Sequence, residues 1–213
     1  MDYNTNWYYD KKIERTKKAL EKNNYEVYVV DNVEEMKEKV LELIQDKSKV
    51  SFGGSMTLVN SGILEDLRKK DIVFLDRYKE GLTGDEIGNL YRETFFADYY
   101  ITSSNAVTEN GELVNLDGTG NRVAAMIFGP KKVIVLVGKN KIVKDLDEAY
   151  DRVRNYASPI NAKRLNRRTP CCETGYCMDC NSSDRICNHY VVTYRQNIKG
   201  RGIVIIVKED LGY

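Results

Sequence analysis

Apolar positions along the first two-thirds of the chain keep two different rhythms. Residues 26–30 (EVYVV) form a short β-branched run, and behind it Val33, Met36, Val40, Leu43 and Ile44 fall at the three-and-four spacing of one helical face. Asn32, with Glu35 three residues later, supplies a capping signal at the change of period. The exchange repeats. A strand over 49–52 precedes a helix through Leu58, Ile63, Leu64 and Leu67, and a strand over 72–75 precedes a helix opened by Thr83 and Glu86. This order predicts a largely parallel sheet covered by helices, because parallel neighbours are joined only by long crossovers.

Beyond Ala97 the rhythm shortens. Residues 99–102 and 106–108 read as strands, Asn110-Gly111 as a tight hairpin turn, and 112–116 as the return strand. A Gly-punctuated loop over 117–122 then leads to a helix over 123–128, a very apolar strand over 133–137 and a helix over 146–156. Two further strands, 190–194 and 202–207, close the pattern. No repeat or Gly/Ser linker divides the chain, so one α/β domain is expected over 1–213, with 159–190 a cysteine-rich insertion or extension.

Composition narrows the classes. In 213 residues, 42% hydrophobic content and only 3 prolines exclude a disordered chain. The 33 basic residues against 32 acidic ones leave +1, which argues against a nucleic-acid binder working through a basic surface. No apolar stretch approaches the roughly 18 residues of a membrane span, and no leader pattern opens the sequence, so a cytoplasmic protein is expected. All 5 cysteines lie between Cys171 and Cys187, which excludes a dispersed disulfide framework. The only histidine is His189.

Four segments carry candidate chemistry. In 51–57 (SFGGSMT), Gly53 and Gly54 free the backbone to turn its N–H groups toward a ligand, while Ser55 or Thr57 caps the following helix and donates to an anion. In 117–122 (DGTGNR), Gly118, Thr119, Gly120 and Asn121 form a second turn, and Arg122 offers a bidentate clamp for a carboxylate or phosphate. Both loops are expected at the carboxyl ends of parallel strands, where open α/β sheets bind ligands. In the hairpin, Glu109 is a candidate carboxylate nucleophile. Finally, Cys172, Cys177, Cys180 and Cys187 have the spacing C-x4-C-x2-C-x6-C, with Cys171 or His189 as the substitute for one of them. Four thiolates suit either zinc or an iron–sulfur cluster, and spacing does not choose between them.

These segments occur together in a known pattern. The runs SFGGSMTL, ADYYITSSNAVTENGELVNLDGTGNRVAAMIFGPKKVIVLVGKNKIV and DLDEAYDRVR resemble the lactate-utilisation (LUD, YkgG-type) domain family, and TPCCETGYCMDCNSSDRICN resembles an extension found in a short branch of it. The resemblance implies a fold like ribose-5-phosphate isomerase and the CoA transferases, and a context of lactate or related organic-acid utilisation. It also implies redox partner subunits that carry iron–sulfur clusters, with assembly into a homo-oligomer left open. By the wider fold relationship the two Gly loops would flank a phosphate or CoA-like group. TENG resembles the glutamate motif of one CoA-transferase class, which would make Glu109 the acyl-carrying carboxylate. An organic-acid protein binding an anion, a transferase or sugar-phosphate enzyme using Glu109, and a zinc-stapled binding protein without catalysis are therefore the three functional expectations.

Overall fold

The structure is a computed structural model that describes residues 2–213. The chain opens with α1 (Tyr3–Lys22), capped by Asp2, and continues through β1 (Glu26–Val30), α2 (Val33–Leu43), β2 (Lys49–Phe52), α3 (Met56–Ser61), α4 (Ile63–Lys69), β3 (Val73–Leu75) and α5 (Gly84–Glu93). The expected capping signals hold. The Asn32 side chain accepts from the Glu35 amide, and Thr83 with Glu86 closes a reciprocal capping box. The helix expected through 58–67 is instead two. Gly62 adopts φ 73°, a left-handed conformation that ends α3 and redirects the chain into α4.

Next come β4 (Tyr99–Ser103), β5 (Ala106–Thr108), β6 (Leu113–Asp117), α6 (Asn121–Ile127), β7 (Lys132–Gly138), β8 (Ile142–Val143) and α7 (Leu146–Asp151). α7 runs without a break into a π-helical turn, Arg152–Ala157, and then α8 (Ser158–Arg164). Pro159 lacks an N–H and its ring crowds the preceding turn, and the wider π turn just before it accommodates that. The boundary expected at residue 159 thus falls inside a helix. The short α9 (Cys171–Thr174), β9 (His189–Thr193) and β10 (Gly202–Val207) complete the described elements.

Six strands form one sheet in the order β1-β10-β7-β4-β2-β3, and every pairing in it is parallel. Period-two alternation sorts its side chains between two cores. Ile203, Ile205 and Val207 of β10, with Ile134 and Leu136 of β7, face a cluster containing Met36, Val40, Leu58 and Leu67. Val204 and Ile206, with Val133, Val135 and Val137, face the opposite cluster with Ile13 and Leu20 of α1. The central strands are buried on both faces, as parallel strands must be. A second sheet, β8-β5-β6-β9, pairs β5 with β6 and β6 with β9 antiparallel.

The 108–112 hairpin has a three-residue loop rather than a two-residue one. The Gly111 amide donates to the Thr108 carbonyl at 2.9 Å, and Gly111 takes φ 84° so that the Thr108 amide can meet the Glu112 carbonyl at 3.0 Å. Among the described residues no helix is long and apolar enough to cross a membrane.

Candidate functional site

The strand order reverses direction between β2 and β4. From β2 the chain crosses outward to β3, whereas after β4 its next strand in this sheet is β7, on the other side. The loops leaving β2 and β4 therefore diverge and leave a crevice at the carboxyl ends of the strands. A cleft of about 370 Å³ occupies it. Gly54 and Ser55 line one side, Ser103, Ser104 and Asn105 the floor, and Asp117, Gly118, Thr119 and Asn121 the other side. The two Gly loops read from the sequence thus meet at one site.

Not every residue of those loops faces it. Gly53 is buried where a Cβ would lie 2.7 Å from the Tyr100 hydroxyl and 2.9 Å from Thr102 Oγ1, so it permits close packing of β2 on β4. Thr57 is fully buried, with its hydroxyl toward the Leu211 carbonyl at 3.3 Å. The Ser55 side chain accepts the Thr57 amide at 3.2 Å. Gly120 turns the chain at φ 87° into α6, and its amide donates to Asp117 Oδ1 at 2.7 Å.

Arg122 lines the cleft but is not a free clamp. Its Nη1 donates to the Ser103 carbonyl at 3.1 Å and to Asn115 Oδ1 at 2.7 Å, and its Nη2 to Asn105 Oδ1 and the Leu116 carbonyl, both at 2.9 Å. Nε pairs with Asp117 Oδ2 at 3.2 Å. These contacts use all five donors of a guanidinium. Contrary to the expectation of a ligand clamp, Arg122 ties the β4–β5 connection to β6 and builds the cleft floor.

Four further cations border the cleft, Lys141, Arg77, Arg164 and Arg167. Lys141, which follows β7, is 2% exposed and donates to Thr57 Oγ1 at 2.8 Å and Ser103 Oγ at 3.0 Å. Both partners are hydroxyls. Burial foremost, then the positive charges of Arg152 and Arg122, bring its pKa down to about 7. Arg77 reaches the cleft with its guanidinium over the rings of Tyr91, at 4.6 Å, and Tyr78, at 5.5 Å. Arg164 and Arg167 come from the end of α8 and the turn after it, Arg164 donating to Asn161 Oδ1 at 3.1 and 2.8 Å and Arg167 lying 3.9 Å from Asp184. Among the described residues that line the cleft, five side chains are cationic and one, Asp117, is a side-chain carboxylate, which Arg122 already neutralises. A lysine three residues beyond an apolar strand has no local signature, and its burial distinguishes it.

Glu109 stands apart. It does not line the cleft, and Arg15 of α1 donates to its Oε2 at 2.7 Å. The hairpin places it at the far end of β5 from Ser104 and Asn105, so the structure does not bring it together with the Gly loops.

The cysteines cluster beside the cleft. Cys171, Cys177, Cys180 and Cys187 line one small cavity, whereas Cys172 does not. All five are free thiols, and among the described residues no three His, Cys, Asp or Glu side chains gather closely enough to hold a single metal ion. His189 packs beside Gly120 instead.

Comparison with known proteins places this architecture. No sequence relative was found among curated proteins. Among solved structures, a DUF162 family protein from Deinococcus radiodurans superposes with a TM-score of 0.54 at 12% identity, over 93% of this chain and 97% of that one. A D-ribose-5-phosphate isomerase matches at 0.34 and 18% identity, over 64% of this chain and 69% of that one. The α subunit of a malonate decarboxylase from Acinetobacter baumannii matches at 0.43 and 12% identity, over 99% of this chain and 38% of that one. The model of the LUD domain family matches residues 13–207, which span both sheets, the cleft and the cysteine segment, and the chain therefore belongs to the LUD domain family.

Proposed function

We propose that this LUD protein serves the utilisation of lactate or a related small organic acid, and that it does so by binding the acid's carboxylate in the cleft between the two Gly loops. The observation that carries this reading is the charge of the walls, where Lys141, Arg77, Arg164 and Arg167 border a space in which Asp117 is already paired with Arg122. Enclosure on several sides weakens solvent screening, so these charges act more strongly on an anion than the same charges on an open surface. Lys141 adds chemistry to binding. An amine whose pKa is brought to about 7 exchanges a proton readily at neutral pH, and it lies between two hydroxyls at the cleft floor. A 2-hydroxy or 2-oxo acid anchored by Arg77 and Arg164 would present its functional carbon to that amine.

The reading is tested by calorimetry and thermal-shift titration with L-lactate, pyruvate and inorganic phosphate. Saturable binding of a hydroxy or oxo acid, weakened by salt and lost in Lys141→Met and Arg77→Met, is expected. Absence of binding by any of the three ligands would overturn it, and binding of phosphate alone would transfer the site to phosphorylated ligands. The transferase reading with Glu109 draws no support from the geometry, since that carboxylate is held by Arg15 outside the cleft.

A further inference from the structure

The cleft chemistry leaves the cysteines unused, yet they are the most concentrated reactive groups in the molecule. They sit in a segment with no core of its own, because no residue between 170 and 201 is buried. What orders it is polar. Arg185 donates to the carbonyls of Cys180 and Cys187 at 2.6 and 2.9 Å, and Gly175 takes φ 79° to turn the chain out of α9 toward Cys177. Such a polar stretch, with four free thiols bordering one cavity, suits a segment folded around an inorganic centre.

We propose that the cavity between α8 and the cysteine segment is an iron–sulfur cluster site with Cys171, Cys177, Cys180 and Cys187 as its four thiolate ligands. Four observations support it. First, those four side chains border a common cavity, and its remaining walls are largely apolar, Pro159 and Ile186 among them. Second, among the described residues no histidine or carboxylate borders the cavity, so the ligand set is thiolate alone, as in [2Fe–2S] and [4Fe–4S] clusters. Third, the surroundings suit an anionic centre. Arg154 Nε lies 3.4 Å from Cys177 Sγ, the Asp179 amide 3.5 Å from the same sulfur, and the Thr169 hydroxyl 3.3 Å from Cys171 Sγ. Hydrogen bonds of this kind to ligating sulfurs tune such clusters. Fourth, of the two adjacent cysteines on α9 it is Cys171 that borders the cavity, while the Thr169 hydroxyl lies 3.3 Å from both sulfurs. This replaces Cys172 in the ligand set read from spacing.

The site also adjoins the cleft. Ile186 borders both spaces, Asn188 donates from its amide to the Asp117 carbonyl at 3.1 Å and from its side chain to the Gly118 carbonyl at 3.0 Å, and a Cβ on Gly118 would lie 3.2 Å from the Ile186 carbonyl oxygen. Filling the cavity would thus fix the 182–188 loop against the second Gly loop. The inference stands whether or not the cleft binds an organic acid.

The full chain, purified without air and reconstituted with ferrous iron and sulfide, tests it. Equal amounts of iron and acid-labile sulfide are expected, with visible absorption that bleaches on reduction and slower amide exchange across 117–121 than in the metal-free protein. Cys171→Ser should reduce iron and sulfide to background, whereas Cys172→Ser should retain both, with the far-ultraviolet dichroism of each variant checking that the α/β core is intact. Stoichiometric zinc without sulfide, failure of the wild-type chain to take up a cluster, or loss of the cluster in Cys172→Ser would each overturn the proposal.

Discussion

The Lys141 ammonium nitrogen lies 2.8 Å from the Thr57 hydroxyl, which joins a side chain beyond β7 to the first turn of α3 beneath the cleft. The pair is buried, with 2% exposure for the lysine and none for the threonine. It links the loop that follows β2 to the centre of the sheet and sets a titrating amine at the cleft floor.

That burial predicts a pH dependence with a definite sign. Lys141 binds its proton with a pKa of about 7 in the folded chain against 10.5 in the unfolded one. Between those values the unfolded state holds the extra proton, so unfolding free energy should rise with pH from about 7 toward 10.5. Urea denaturation across this window measures the slope. In Lys141→Met the slope should diminish, and an unchanged slope would show that Lys141 does not titrate as described.

Arg122 predicts a stability effect rather than a selective affinity effect. Arg122→Ala strands Asp117, Asn105 and Asn115 without their common donor, and breaking such a buried pair costs about 3–5 kcal/mol. Arg122→Lys should recover little of this, because an ammonium carries three donors and not a planar fork of five. Equilibrium unfolding of both variants decides it. A fully stable Arg122→Ala chain with weakened ligand binding would restore the clamp.

Glu109→Gln should leave ligand binding in the cleft unchanged and lower stability by about 0.2–1 kcal/mol, the value of an ion pair open to solvent on one side. Isothermal titration alongside thermal unfolding gives both numbers. A loss of turnover in any acyl-transfer assay would return Glu109 to a catalytic position.

Gly53→Ala should destabilise the chain by roughly 1–3 kcal/mol, the range for overpacking, because the added methyl meets the Tyr100 and Thr102 oxygens at 2.7 and 2.9 Å. Gly54→Ala meets the ends of two side chains, the Arg77 guanidinium at 3.3 Å and the Tyr78 hydroxyl at 3.6 Å, and should change ligand affinity more than stability. Comparing melting temperatures with binding constants for the two variants separates packing from recognition.

Local pattern carried much of the architecture. Alternation between the strand and helix periods placed nearly every element of the parallel sheet, and Asn32 with Glu35 and Thr83 with Glu86 marked two helix starts, since periodicity and capping depend on neighbours within a few residues. The Gly loops and the family resemblance were legible for the same reason. Tertiary structure alone decided what lies between distant segments. It inserted β10 between β1 and β7, paired β9 with β6, and turned Arg122 from a presumed clamp into a five-donor tie. It also set Glu109 against Arg15, buried Lys141 until its proton affinity fell, and aimed Cys171 rather than Cys172 at the shared cavity. Spacing names the residue types that can do chemistry, but desolvation, exhausted donors and the direction of a side chain arise only when remote parts of the chain are packed together.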